Sequence, residues 1–221
     1  MRYRVIFKFM NKLYLYIYFA LLLTCLVSVA LYYKKNKSLI YILLLLIFSI
    51  LTEVGGLICQ YFQRNYYPLY HLFTPIEYSL IANFFYLNHN SITFKKLIFY
   101  SIPIFIIFSI LCSTFFIPLN NYPGFQYNIE GILVITWSLT SLFKLSPKNT
   151  TPLYSHTLFW IASGFFIFHT GIFFINGVFN YFFMEKNDIL THIHTIINVA
   201  FNYILYIFIL VGILCSRKIA K

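Results

Sequence analysis

The stretch that decides the fold is Leu39–Phe62, LIYILLLLIFSILTEVGGLICQYF, which carries a single charged side chain, Glu53. A helix of about 20 mainly apolar residues is long enough to cross a bilayer, so we expect a membrane span here. The whole chain shares this character, because 61% of its 221 residues are hydrophobic and only 10% are charged. Soluble domains usually carry about 25% charged residues. The chain therefore has too little charge to cover a surface in water.

Six further stretches have similar length and apolar character. The seven predicted spans are Leu13–Tyr33, Leu39–Phe62, Tyr70–Leu87, Leu97–Leu119, Ile129–Leu145, Leu153–Phe183 and Ile189–Cys215. Short polar loops separate them. We predict one all-α domain over residues 1–221, a polytopic membrane protein built as a single bundle of seven transmembrane helices.

The basic residues predict the orientation of the bundle. Lys and Arg collect in cytoplasmic loops of membrane proteins. The side that holds the C-terminal tail carries ten of them and the opposite side six. We therefore expect the C-terminus in the cytoplasm and the N-terminus outside, although four basic residues in the N-terminal tail argue against this. The net charge of +11 does not indicate nucleic acid, because the basic residues form short runs between apolar spans. The expected partner is the lipid bilayer.

Two glutamates are predicted to lie at similar depth in neighbouring spans. Glu53 is roughly 13 Å from the outer end of the second span, and Glu77 is roughly 10 Å into the third, at 1.5 Å per residue. Spans joined by a short loop are usually adjacent. A charge at the bilayer centre costs about 2.5–3.5 kcal/mol on insertion scales, so both carboxylates should face protein or water. We expect one of them to hold a proton, or both to share a cation.

Polar side chains on the last two spans recur at helical spacing and predict the other walls of the same pocket. His194 and Asn198, for example, are one helical turn apart on the seventh span. We predict a ligand-binding pocket in the outer half of the bundle, lined by Glu53, Glu77, Asn176, His194 and Asn198. Secondary contributions are expected from Gln60, Arg64, His71, His169 and Asn202.

The stretch Tyr70–Leu80, YHLFTPIEYSL, opens the third span. Pro75 is expected in the first turns of that helix, where its missing N–H costs little. His71 should lie at the outer interface, and Arg64 is the most available counter-charge for the glutamates. Tyrosines cluster at the span ends and are expected to form an interfacial belt; they include Tyr14, Tyr16, Tyr18, Tyr32, Tyr33, Tyr66, Tyr67 and Tyr70.

A metal site is not demanded by any compact motif. In His192-Ile193-His194 the two imidazoles would point about 200° apart on a helix, so they cannot chelate one ion together. Glu53, Glu77, His169 and His194 are nevertheless residue types that bind zinc. We expect no metal and no cofactor. The four cysteines fall in or at the ends of the spans, where they are expected as small buried residues, and pairing of Cys59 with Cys112 is left open.

Two segments carry a resemblance to known proteins, LYHLFTPIEYSLIANFFY at 69–86 and HIHTIINVAFNYILYIFIL at 192–210. They resemble the corresponding segments of small seven-helix membrane proteins of Bacteroidota for which no activity is established. The resemblance covers most of the chain and implies a bacterial cytoplasmic membrane and a role in sensing. The chain also resembles, loosely, the intramembrane hydrolases related to alkaline ceramidases and adiponectin receptors. Their HxxxH motif reads His194-x-x-x-Asn198 here, so one metal ligand is missing.

These observations predict a membrane sensor or ligand-binding module rather than an enzyme. It would signal through a cytoplasmic or membrane protein partner. An intramembrane metal-dependent lipid hydrolase is one alternative, and a small transporter is another. The sequence shows no clear internal repeat of the kind found in many transporter folds, which counts against the transporter alternative.

Overall fold

The computed structural model describes the backbone of residues 2–145, 152–182 and 188–218, and the side chains of 16–34, 36–145, 152–176 and 196–215. Within these ranges there are seven α-helices and no strand. The helices are α1 Arg2–Tyr32, α2 Leu39–Tyr61, α3 Tyr67–Asn88, α4 Ile92–Leu111, α5 Gly124–Lys144, α6 Thr157–Phe182 and α7 Asp188–Lys218. A π-helical turn, Cys112–Phe116, continues α4. The all-α prediction is confirmed for this part of the chain.

Several helices begin before the apolar stretch that predicted them. The starts of α1, α3, α4 and α5 lie three to eleven residues earlier than expected. Backbone hydrogen bonding does not depend on apolar side chains, so a helix continues into the polar residues at its ends. The start of α6 is later than expected, because Leu153–Ser155 forms a separate 3₁₀ turn.

The position expected for Pro75 was wrong. Helix α3 begins at Tyr67, whose backbone N–H donates to Asn65 Oδ1 (2.9 Å), and Pro68 takes the first-turn position that suits proline. Pro75 therefore lies in the helix interior, where it has no N–H to donate to the preceding turn. Its own carbonyl accepts the hydroxyl of Ser79 at 2.6 Å.

Four helical stretches are long and apolar enough to cross a membrane, judged by length and composition among the described residues: Leu39–Tyr61, Ile92–Phe116, Thr157–Asn176 and Ile196–Cys215. A shorter apolar stretch, Tyr16–Tyr32, belongs to α1. Their length and composition indicate a membrane protein. Helices α3 and α5 are not in this set, and both carry buried polar side chains.

Six of the helices form a closed ring. Helix α1 packs against α2, α2 against α3, α3 against α5, α5 against α6, and α6 against α7, which returns to α1. Helix α4 packs mainly on α3 and leaves large apolar side chains such as Ile104 and Ile107 exposed. The interior of this ring is therefore bounded by every helix except α4.

The two ends of the ring interior are packed differently. Toward the C-terminal end of α3, Phe84 and Phe85 are fully buried. Both contact Phe165 of α6, and the centroids of their aromatic rings lie 6.4 and 6.0 Å from the centroid of Phe165. Leu22 of α1 and Ile209 of α7 are also fully buried. This half is an apolar core. The other half, toward the loop between α2 and α3, holds the carboxylates Glu53 and Glu77 and is called here the polar end of the ring.

Candidate functional site

The ring surrounds a partly open cavity of about 910 Å³. Small-molecule sites usually measure about 300–1,000 Å³, so this one could hold a ligand of drug size. Its walls come from α1, α2, α3, α5, α6 and α7, with Tyr66 and Tyr122 added from the loops before α3 and α5. No lining residue comes from α4, which is described throughout.

Six of the ten residues predicted from the sequence line this cavity: Glu53, Gln60, Glu77, His169, Asn198 and Asn202. Asn176, Arg64 and His71 are not among the lining residues. His194 belongs to α7, in a stretch whose side chains lie outside the described residues, as does His192. The structure therefore brings both glutamates to one space, while ligand binding by this set stays a prediction.

Glu53 ends a chain of hydroxyl groups that joins three helices. Tyr18 of α1 donates to Glu53 Oε1 at 3.4 Å, and the Tyr18 and Tyr206 hydroxyl oxygens are 3.1 Å apart. Because Tyr18 has one hydroxyl proton, Tyr206 is the donor to Tyr18 when Tyr18 donates to Glu53. Tyr18 is buried, so its assignment to an interfacial belt was wrong.

Glu77 is the described carboxylate that interacts with both of the others. It interacts electrostatically with Glu53 and also with Glu130 of α5. Glu130 is fully buried, and neither of its carboxylate oxygens has a hydrogen-bond partner among the described residues. The site prediction did not include Glu130. Its signal was a polar face on α5, where Gln126 and Ser138 lie four residues before Glu130 and eight residues after it and are both buried.

His169 of α6 lines the cavity together with Glu53 and Glu77. It is buried, and its Nε2 has no hydrogen-bond partner among the described residues. Its backbone carbonyl lies close to Gly131, the residue after Glu130, so α5 and α6 approach each other at this level. On α7, Asn202 Nδ2 donates to Asn198 Oδ1 at 2.9 Å, which holds both amides on one face.

His71 serves a different place from the one predicted. It is buried, and its Nε2 donates to the backbone carbonyl of Asn121 at 2.9 Å. A carbonyl only accepts, so the proton is on Nε2 and Nδ1 accepts from the Ser113 hydroxyl at 2.8 Å. Gln126 Nε2 donates to the same Ser113 oxygen at 2.9 Å. His71 therefore holds the α4–α5 connection against α3 and is not among the cavity-lining residues, while its position at the outer interface stays a prediction.

Arg64 is not the counter-charge of either glutamate. Its side chain is exposed, and it forms no ion pair with Glu53 or Glu77, all three being described residues. Gln63 has a positive φ of 53°, which turns the chain at the end of α2. The backbone N–H of Arg64 then donates to Cys59 O at 2.8 Å and completes a Schellman-type helix end.

Asn176 also departs from the prediction. It is buried on α6, and its Nδ2 donates to Asn128 Oδ1 of α5 at 3.3 Å. The hydrogen bond joins two neighbouring helices outside the cavity wall. Cys59 and Cys112, whose pairing was left open, are both free thiols.

The described cavity lining contains acidic side chains but neither of the strongly basic residue types. Neither Lys nor Arg occurs among the described lining residues, whereas Glu53 and Glu77 do. Desolvation, followed by the carboxylates of Glu77 and Glu130, raises the pKa of Tyr122 in the loop at the polar end. Its hydroxyl therefore stays protonated and remains a hydrogen-bond donor.

A metal centre is not assembled by the described side chains, among which no three His, Cys, Asp or Glu come together to hold an ion. Since His192 and His194 lie outside this set, the metal prediction stays untested. Comparisons of the chain with family models, with curated proteins and with solved structures find no significant match.

Proposed function

We propose that this protein is a seven-span ligand-binding module of a bacterial cytoplasmic membrane, which senses a small molecule in its ring cavity. The observation that carries the proposal is the cavity of about 910 Å³, into which two carboxylates, an unpartnered imidazole nitrogen and an Asn pair converge. Burying such groups without a partner is costly. A bound molecule would supply partners that the described protein groups do not.

Seven spans follow if α1, α3 and α5 cross the membrane together with the four long apolar helices α2, α4, α6 and α7. With 22 and 21 residues, α3 and α5 are each about 30 Å long at 1.5 Å per residue, which matches the hydrocarbon core. Their polar side chains, such as Gln126 and Glu130, are buried inside the bundle. Low hydropathy of these two helices is therefore compatible with spanning, because protein surrounds their polar faces.

The charge of the loops supports the orientation. In the proposed topology the polar end of the ring faces outside and the C-terminal tail lies in the cytoplasm, by the excess of basic residues on that side. Resemblance to the Bacteroidota proteins supports a bacterial cytoplasmic membrane.

Helix α7 is the route to a partner. It lines the cavity from Ile196 to Ile209 and runs without a break to Lys218. The distance from Ile209 to Lys218 is about 14 Å at 1.5 Å per residue. A ligand that displaces α7 would therefore move a basic helix end, to which we assign contact with a cytoplasmic or membrane signalling protein.

Native mass spectrometry tests the binding module. Ser49 lines the cavity, so Ser49→Phe should fill part of it. Thr114→Phe is the matched control, because Thr114 is an exposed hydroxyl residue that, like Ser49, bonds to a carbonyl of its own helix. Protein purified from a Bacteroidota host should carry the same small-molecule adduct in the wild type and in Thr114→Phe, and lose it in Ser49→Phe. Identical spectra for all three proteins would refute the proposal.

A further inference from the structure

The formal charge of the described cavity lining is opposite in sign to the net charge of the whole chain. The protein has a net charge of +11, yet its described cavity wall holds two carboxylates and neither Lys nor Arg. Like charges that share a low-dielectric space repel unless a proton or a cation separates them. Arg64 is exposed and forms no ion pair with either glutamate, so no described Lys or Arg supplies a cation to Glu53 and Glu77.

Aromatic rings surround the polar end of the cavity. Tyr66, Tyr67, Tyr70, Tyr122 and Tyr127 all line it, and we call this group the tyrosine collar. Its members form a connected set. The ring centroids are 5.9 Å apart for Tyr66–Tyr70, 6.5 Å for Tyr70–Tyr122, 6.2 Å for Tyr67–Tyr122 and 5.5 Å for the stacked Tyr122–Tyr127 pair. The faces of such rings attract ammonium groups. The collar and the carboxylates therefore select the same charge.

The opposite end of the cavity is apolar. Leu45 and Leu46 line it from α2, and Leu205 and Ile209 line it from α7. Leu45 is eight residues before Glu53, which places it about 12 Å further along the same helix. A ligand that contacts both ends needs a charged head and an apolar body.

His169 gives an independent indication of the head group. Only 4% of its surface is exposed, and it lines the cavity. Its Nε2 has no hydrogen-bond partner among the described residues. In the tautomer that carries its proton on Nδ1, a neutral imidazole accepts a hydrogen bond at Nε2 from an N–H donor. Together with the two carboxylates this makes a set of acceptors, which an ammonium group with several N–H donors would satisfy.

We propose that the cavity binds an amphiphilic organic ammonium ion, with its head beside Glu53 and Glu77 within the tyrosine collar and its apolar body toward Leu45 and Ile209. The inference rests on the proposed function and names the ligand class of that same site. Either a free amine or an amine-bearing membrane lipid has this chemistry.

Isothermal titration of the full chain in an uncharged detergent tests the charge and the head group. The probe is n-hexylammonium, and the matched probes are n-hexanol and hexanoate, which have the same body. We expect the ammonium ion to bind about tenfold or more tightly than n-hexanol, and hexanoate not to bind. Equal binding of hexylammonium and hexanol, or preferred binding of hexanoate, would overturn the inference.

Three variants assign the site. Glu53→Gln/Glu77→Gln keeps the shape of both side chains and should weaken hexylammonium binding about tenfold or more while leaving hexanol unchanged. Ser49→Phe should weaken both probes. Arg64→Gln removes an exposed charge and should change neither. Unaltered hexylammonium binding in the double variant, with its thermal unfolding unchanged, would contradict the ammonium site.

Native mass spectra separate the two sources and separate this inference from the proposed function. An adduct lost on exhaustive dialysis and identified as an amine supports a free ligand, and a retained amine lipid supports a membrane ligand. An adduct that is an acid or an uncharged molecule would refute the ammonium assignment but leave the binding module intact. A wild-type protein with no cavity adduct would instead count against the proposed function.

Discussion

Alanine substitution at two helical glycines should show which of them is closely packed against a neighbouring helix and which has open space beside it. Gly164 of α6 faces α7, and a Cβ added there would lie 2.8 Å from Phe208 Cβ. Carbon atoms in contact prefer about 3.5–4.0 Å. Because the Phe208 Cβ is attached directly to the α7 backbone, no side-chain rotation can move it away. Gly164→Ala must therefore push the two helices apart.

The magnitude follows from a comparison with Gly56→Ala. Gly56 is also helical, and a Cβ added there would meet no atom within 4 Å. Both substitutions gain about 0.8–1.0 kcal/mol of helix propensity, so that contribution cancels in the difference. What remains is the overpacking cost at Gly164, typically about 1–3 kcal/mol. Gly56→Ala should be neutral or stabilising, and Gly164→Ala should lie about 1–3 kcal/mol below it.

Thermal unfolding in detergent measures the difference through tryptophan fluorescence. Trp160 packs on Phe208 with ring centroids 5.6 Å apart, so it reports on the same α6–α7 contact. For a chain of this size each kcal/mol shifts Tm by about 2–4 °C. The two variants should therefore differ by about 2–12 °C. Equal Tm values, or a more stable Gly164→Ala, would show that α6 and α7 are not packed as closely as described.

Four further predictions concern separate features. Gln63→Gly should raise the free energy of unfolding by about 1 kcal/mol, because Gly adopts the positive φ at the end of α2 without strain; an unfolding titration that shows a loss would argue against that turn. A periplasm-active reporter fused after SRKIAK should stay silent, since the tail is predicted to be cytoplasmic, and activity would reverse the orientation. Elemental analysis should find no stoichiometric zinc, whereas about one zinc per chain that is lost in His194→Ala would favour the hydrolase alternative. Finally, His89 lies in the loop between α3 and α4. Its pKa is lowered mainly by burial and, to a smaller extent, by the positive charge of Lys144. The unfolded chain therefore binds a proton that the folded chain resists, and stability kept above about pH 6.5 should fall on acidification. His89→Asn should reduce that loss in unfolding curves measured across pH, and an unchanged loss would contradict the assignment.

The sequence predicted local features well where local physics decides them. The second span was identified from its length and apolar composition, and α2 occupies Leu39–Tyr61. The cost of placing charge in lipid required Glu53 and Glu77 to face inward, and both line the cavity. Helical spacing placed Asn198 and Asn202 on one face, where their amides are joined by a hydrogen bond.

Residues whose roles depend on distant neighbours were not predictable in this way. Pairing of Tyr18 with Tyr206 joins residues 188 positions apart, and it exists only because α7 returns to α1 and closes the ring. Glu130 had a polar helical face as its signal, but only the packing of α5 between α3 and α6 shows that this face is buried. His71 and Arg64 have similar polarity and lie near the same loop, yet one is buried and the other exposed.

The sequence by itself therefore indicated that the chain is helical, has the character of a membrane protein and turns Glu53 and Glu77 inward, because these properties follow from hydrophobic length, helical period and the cost of charge in lipid. Only the tertiary structure decided which helices are neighbours, that α4 contributes nothing to the cavity wall, and which polar groups share that wall. The physical reason is that helix packing is decided by small differences in shape between apolar surfaces. Such differences, for example the room that Gly164 leaves for Phe208, involve pairs of residues that no single stretch of sequence contains.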